Sequence, residues 1–273
     1  MIKEFIVNSN ITVKDFLKDK ISSNLLIKIT EKNLIFVNNQ NVYNYYVMKP
    51  GDVLKIIIPK IDTNVKATKG YIEILYEDDY LLILNKPNNM ATIPTRKHYN
   101  ISLSNYLAYY YILKGLNLGI HFYSRLDYAT SGIVMVAKNI YVLDLLVKTK
   151  ITKKYLLKVH GEMDDAYVET KIIKDPNSII KRMNVEGNTA KTTFKTVVKT
   201  KEYSIVEATL HTGKTHQIRL HASFLNHPIY GDELYGINDS INLLHLHSHY
   251  LEFIHPITKE KIIIKNNPSW MDF

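Results

Sequence analysis

Up to about residue 60 the chain alternates short apolar runs with polar breaks and reads as a compact unit of its own. Leu34-Ile35-Phe36-Val37 followed by Asn38-Asn39-Gln40-Asn41 predicts a strand entering a tight turn, because asparagine tolerates the left-handed backbone that a hairpin needs. Lys49-Pro50-Gly51-Asp52 predicts a second turn, with a buried strand over 53–58 behind it. Residues 62–69 lack large apolar side chains and read as a linker. Beyond it, apolar runs over 72–76 and 81–85 around Glu77-Asp78-Asp79 predict two strands and a turn, ended by Lys86-Pro87. Ser102 or Ser104 caps a predicted helix that runs to about Lys114 and stops at Gly115. A strand over 133–137, a helix near 141–147 and a strand over 155–159 follow, and strands dominate 168–210. Helix returns at about 215–224, before a last strand pair within 243–264. The order lacks regular strand–helix–strand alternation, so the expected fold is α+β on a mixed, largely antiparallel sheet.

Composition narrows the chemistry. The 273 residues are 46% apolar and 22% charged, enough for one large core or two smaller ones. With no cysteine, thiolate metal sites, iron–sulfur clusters and thiol nucleophiles are excluded, and catalysis falls to oxygen and nitrogen groups. Lys plus Arg number 35 against 26 Asp plus Glu, a net charge of +9 that favours a polyanionic partner. No phosphate-cradling loop of the Walker type or dinucleotide-binding glycine pattern occurs, so no nucleotide cofactor is expected. The absence of a long apolar stretch or a leader-like N-terminus makes a cytoplasmic protein without membrane contact the expectation. Tyrosine (20 residues) and lysine are so common that individual ones say little, and spacing must discriminate.

Two stretches concentrate chemistry. Arg125-Leu126-Asp127-Tyr128-Ala129-Thr130-Ser131-Gly132 leads into apolar 133–137 and places a carboxylate at the mouth of the core, as nucleophile, as base, or as a turn residue held by Thr130 or Ser131. His211-Thr212-Gly213-Lys214-Thr215-His216-Gln217-Ile218-Arg219-Leu220-His221 sets a glycine turn before a helix crowded with polar groups. Such a helix faces a ligand or a buried partner, or is a solvated face, and its N-terminus suits an anion.

Together these stretches resemble the RluA family of pseudouridine synthases, in particular its RluD-like branch. The resemblance rests on Tyr76-Glu77-Asp78-Asp79 with Asn85-Lys86-Pro87, on His121 with Arg125-Leu126-Asp127 through Lys138, and on Lys153-Lys154-Tyr155 through Gly161. It continues in 187–193, Thr212 through Arg219, His227-Pro228-Ile229-Tyr230-Gly231-Asp232 with Leu234-Tyr235-Gly236, and Leu246-His247-Ser248. Residues 1–62 resemble an S4-like RNA-binding fold, with Asn39 where that family prefers glycine and scattered lysines (Lys14, Lys18, Lys20, Lys28) in place of an arginine-rich helix. The expected division is therefore 1–62, a linker at 63–70, and a catalytic domain over 71–273.

The resemblance implies cofactor-free and metal-free isomerisation of uridine to pseudouridine in RNA, with rRNA as the expected substrate, tRNA as the alternative, and a monomeric enzyme. It makes Asp127 the essential carboxylate, acting at the sugar carbon or on the ribose C2′ proton, with Arg219 and then Lys214 as the opposite charge that keeps it ionised. Tyr155 stacks on the uracil and serves as acid or base, Arg125 fills the space left by the flipped nucleotide, and Ile218 forms an apolar wall. Lys86, Thr130, His216 and Gln217 complete the expected substrate contacts, and Lys150, Lys153, Lys154 and Lys158 are candidate phosphate contacts. Departures are Ser124 for histidine, Tyr128-Ala129 for a common charged pair, Lys214 for arginine, and Asn88-Asn89 for Ala-Gly. A zinc hydrolase built on His245, His247 and His249, and a non-catalytic RNA-binding protein, are the alternatives.

Overall fold

The computed structural model describes residues 1–60, 65–174, 181–184 and 188–271; Asp62 of the expected linker and Gly187 of the family-like stretch lie outside them. The N-terminal unit contains β1 (Ile2–Ile6), β2 (Ile11–Thr12), α1 (Val13–Leu17), α2 (Ser23–Glu31), β3 (Ile35–Val37), β4 (Gln40–Asn41), β5 (Val47–Met48) and β6 (Val53–Ile57). Its main sheet has the order β1-β6-β3-β4, and β2 pairs with β5. Asn38 and Asn39 adopt φ of 50° and 68° and so make the β3–β4 hairpin without glycine.

The rest of the chain contains β7 (Glu73–Glu77), β8 (Leu81–Lys86), α3 (Leu103–Leu113), β9 (His121–Phe122), β10 (Ser131–Ala137), α4 (Ile140–Lys148) and β11 (Ile151–His160). It continues with β12 (Ala166–Lys174), β13 (Lys181–Asn184), β14 (Asn188–Lys199), β15 (Tyr203–Leu210), α5 (Gln217–Phe224), β16 (Leu246–Ile254) and β17 (Lys261–Lys265). Among the described residues these strands form one 11-stranded sheet in the order β13-β12-β14-β15-β11-β16-β10-β8-β7, with β17 on β16 and β9 on β10. The sheet is mixed and mostly antiparallel, as expected; β10 and β16 are its parallel pair.

The continuous apolar runs 81–84 of β8 and 133–137 of β10 arise because both of their faces are covered. Leu82, Leu84, Val134 and Val136 join the core shared with α3, Tyr155 and Ile218, whereas Leu81, Ile83, Ile133 and Met135 pack on the other side against Val142, Leu146 and Phe253. Ser102 accepts from the Asn105 N–H to cap α3, and Gly115 leaves that helix at φ 65°. Residues after the expected boundary are fastened: Asn105 donates to the Lys66 carbonyl, and the Thr68 N–H donates to the Asn105 carbonyl.

The two parts meet at α4. Tyr141, Ile140 and Leu145 pack into the N-terminal core, the Ser22 N–H donates to Asp144 at 2.9 Å, and Lys148 donates to the Asp19 carbonyl. No helix of the described residues is long and apolar enough to cross a membrane.

Candidate active site

The two halves of the large sheet join where Ser131 and Gly132 pair with His247 and Ser248. Gly132 has φ 110°, and a Cβ there would sit 2.3 Å from the Ser248 carbonyl, so only glycine lets the strands approach. The loop 124–130 enters this junction and carries Asp127 into a cleft of about 990 Å³. The cleft is also lined by residues 91–93 and 95–98, by Lys153 and Tyr155 of β11, and by residues 210–219.

The Asp127 side chain is about one-third exposed (34%), and its Oδ2 lies 3.7 Å from His216 Nε2. The Thr130 N–H donates to the Asp127 carbonyl and closes a turn beneath the carboxylate, while the Thr130 side chain is buried. His216 precedes α5 in the left-handed conformation, φ 56°, and its Nδ1 is 2.9 Å from the Tyr235 hydroxyl. This conformation turns His216 out of the helix and towards Asp127.

Several expected contacts take other roles. The Arg219 guanidinium forms a two-pronged pair with Asp232, Nε to Oδ2 at 2.8 Å and Nη2 to Oδ1 at 2.5 Å, and its pKa moves upward. Burial opposes that rise, whereas the Asp232 bonds, with the Asp127 charge beyond them, outweigh it. Arg219 therefore lines the cleft with its guanidinium committed to Asp232, and the side chain that faces the Asp127 carboxylate within 4 Å is His216. Gly231 fixes the Asp232 turn, since at φ 70° a Cβ would meet the Leu243 carbonyl at 2.1 Å.

Gln217, expected to touch substrate, is buried and bonds to Thr212, Thr192, the Lys191 carbonyl and the Lys214 N–H. Although Gln217 lines the cleft, Lys86 does not. It is fully buried, and its ammonium donates to the carbonyls of Pro87, Met90 and Tyr128, which satisfies all three donors. Burial lowers its pKa to about 7 while the Asp127 charge pulls it back up. The helix begins at Gln217, so Lys214 and Thr215 belong to the preceding loop, and Lys214 lines the cleft from there.

Other residues hold their expected positions. Burial pushes the Tyr155 phenol up to about 12, a hydrogen bond with Ser248 acts in the opposite direction, and the Asp127 charge adds to the rise. Ile218 is a buried wall of the cleft, and Arg125 stands exposed on its rim. Of the candidate phosphate contacts, Lys154 pairs with Glu207 at 2.8 Å, and Lys158 lies over Tyr203 and Tyr230. Lys153 alone of these candidates lines the cleft, above the Tyr123 ring at 4.5 Å, and burial lowers its pKa to about 8. Asn88 and Asn89 replace Ala-Gly without loss of the turn. Asn89 takes φ 54°, and Asn88 donates to the carbonyls of Ala129 and Leu244 and so ties the turn to the Asp127 loop.

Sequence reasoning missed residues 95–98. Thr95 and His98 close a tight turn through their backbones, which points Arg96 and Lys97 into solvent at the cleft wall. No motif or periodicity marks this turn; a Thr-Arg-Lys-His run was its sole signal. The three histidines of the zinc alternative are separately engaged: His245 stacks on Trp270, His247 bonds to Ser131 and to the Asn266 carbonyl, and His249 bonds to Glu207. No group of three metal-ligating side chains forms among the described residues.

Residues 80–224 match the family model described as RNA pseudouridylate synthase. The chain is 36% identical over 236 residues to the uncharacterized RNA pseudouridine synthase YjbO of Bacillus subtilis (strain 168), covering 83% of each. It is 32% identical to ribosomal large subunit pseudouridine synthase C of Buchnera aphidicola subsp. Acyrthosiphon pisum, covering 97% of this chain and 92% of that protein. In fold it is similar to human RNA pseudouridylate synthase domain containing 1, with a TM-score of 0.59 at 22% identity over 72% of this chain and 84% of that one.

Proposed function

Because this chain belongs to the RNA pseudouridylate synthase family, and is thus an RNA pseudouridine synthase and an isomerase, we propose that it modifies uridines of 23S rRNA through Asp127. The observation that carries the reading is the Asp127 carboxylate, open to a cleft whose other charged lining residues are Arg96, Lys97, Arg125, Lys153, Lys214 and Arg219. The choice of rRNA is supported by the relatives named for the ribosomal large subunit.

In the reaction the N1–C1′ bond breaks, the uracil turns in place, and a C5–C1′ bond forms. The proton leaves C5 and N1 gains one, so nothing is consumed. Asp127 attacks the sugar or takes its C2′ proton, and both routes need an ionised carboxylate facing the pocket. His216 supports that charge when its imidazole carries a proton; the buried Arg219 adds its field, and so does Lys86 in its protonated form. Tyr155, raised to about 12, keeps its proton and acts as a flat wall and hydrogen-bond donor to the uracil. Ile218 forms the apolar side, Thr130 holds the Asp127 turn, and Lys214 meets phosphate as a single point charge. A uridine within a stack is out of reach, so the target flips into the cleft and Arg125 occupies the vacated space. We read residues 1–62 as an S4-like unit whose Lys14, Lys18, Lys20 and Lys28 hold neighbouring RNA.

The test is tritium release from a 23S rRNA transcript labelled with [5-³H]uridine, with tRNA transcripts as a second arm. Carbodiimide-dependent primer-extension stops then locate the product. Release from 23S rRNA is expected, with Asp127→Asn losing it while still binding RNA. Full activity in Asp127→Asn sinks the assignment of Asp127, and release from tRNA alone moves the substrate.

A further inference from the structure

Tyr128, beside Asp127 in the chain, stacks on His98 of the 95–98 turn with ring centroids 4.6 Å apart and planes 20° from parallel. Both residues line the cleft, and Tyr128 remains 44% exposed. Its backbone is held firmly, because the Tyr128 carbonyl accepts from the Met90 N–H at 3.1 Å and from the buried Lys86 ammonium at 3.2 Å. The His98 N–H is fixed in turn by the Thr95 carbonyl at 3.1 Å and the Thr95 hydroxyl at 3.2 Å. The result is a preorganised aromatic platform on the rim, one residue from the reacting carboxylate, with the exposed cations Arg96 and Lys97 on the same turn.

We propose that the Tyr128–His98 stack receives the nucleobase next to the flipped uridine. The inference rests on the reading of this cleft as the uridine site. A base that leaves a strand takes a stacking partner from each of its two neighbours; Arg125 in the vacated space covers one of them, and an aromatic ring fixed at the pocket mouth replaces the stack lost from the face of the other. Every base has such a face, so the platform tolerates sequence around the target while Arg96 and Lys97 follow the backbone.

The experiment compares binding of two fluorescein-labelled RNA decamers, oligo(U) and an abasic ribose-phosphate strand of the same length, by anisotropy. Tyr128→Ala is expected to weaken oligo(U) binding about tenfold, the size of one base–aromatic stack, and to leave abasic binding within about twofold. Tyr128→Phe keeps the wild-type affinity, and His98→Ala falls between. On the 23S rRNA transcript, Tyr128→Ala loses more in KM than in kcat. Equal losses on the two decamers, or no loss on oligo(U), overturn the proposal, as does a loss confined to kcat, which marks Tyr128 as a mere support for Asp127. Thermal melts exclude misfolding of the variants. The decamers read stacking independently of turnover, so failure of the 23S rRNA assignment and failure of the platform give different results.

Discussion

The two walls of the cleft carry similar numbers of polar side chains but use them in opposite ways. On the 211–219 wall, Gln217 and Arg219 are buried and bonded to protein groups, with His221 locked behind them between Thr192 and Thr170. On the facing wall, Arg96, Lys97 and Arg125 are exposed, and Tyr128 offers an open ring. The helical end of the first wall spends its polar groups on holding the site together, whereas the second leaves its cations and its ring open to the cleft. Density of polar residues in a motif thus marks a place where the backbone must be held as often as a place where substrate binds, because every buried polar group needs a partner.

That contrast can be broken at its strongest point by Asp232→Ala, which leaves the buried Arg219 charge without its partner. The expected cost is about 3–5 kcal/mol of stability in urea unfolding; unchanged stability with weakened RNA binding would reverse the roles of the walls. A second probe is acid. Burial lowers His221 to about 4, below the ordinary 6.5, so between those pH values the unfolded chain takes up a proton that the native protein refuses. Stability should fall as pH drops from about 6.5 to 4, by on the order of 3 kcal/mol from this group, and His221→Gln should remove that share while the share of His247, also lowered to about 4 by burial, remains.

The ligand-facing wall should respond in binding rather than in folding. Lys153 is charged at pH 7 and mostly neutral at pH 9, given its pKa of about 8, so RNA affinity measured by anisotropy should weaken a few-fold across that interval. Lys153→Met should remove that dependence. The smallest effect belongs to the exposed turn: Arg96→Ala and Lys97→Ala should each lower the slope of log affinity against log salt by about 0.7–0.9, with stability within about 0.5 kcal/mol of wild type.

Much of the scaffold was legible because it is locally encoded. The double-sided apolar runs of β8 and β10, the Ser102 cap and the Asn38-Asn39 turn each follow from the residues in a short window. Asp127 and Tyr155 were legible through motif order, and the cleft brings both to its lining. Pairings were not. Nothing near Arg219 announces that Asp232 takes its guanidinium, and nothing near Asp127 announces that His216 leaves the helix through a left-handed residue to face it. The start of α5 was placed two residues early for the same reason: His216 has the composition of a helix N-terminus but the backbone of a corner. The 95–98 turn was missed because exposed cations carry no periodic signal, and its place at the cleft comes from the contact of His98 with the Tyr128 ring in a separate loop.

The docking of the N-terminal unit on α4 bears on how the protein can be divided. Its interior is sealed by Tyr141, Ile140 and Leu145, which the other part of the chain supplies, and Lys3 sits over the Tyr141 ring at 5.2 Å. Trimming the chain at residue 70 would not liberate a clean enzyme. It would leave a raw greasy scar along α4, with Asp144 stripped of the Ser22 N–H, and the shortened protein would self-associate in the test tube whatever its cleft can still do.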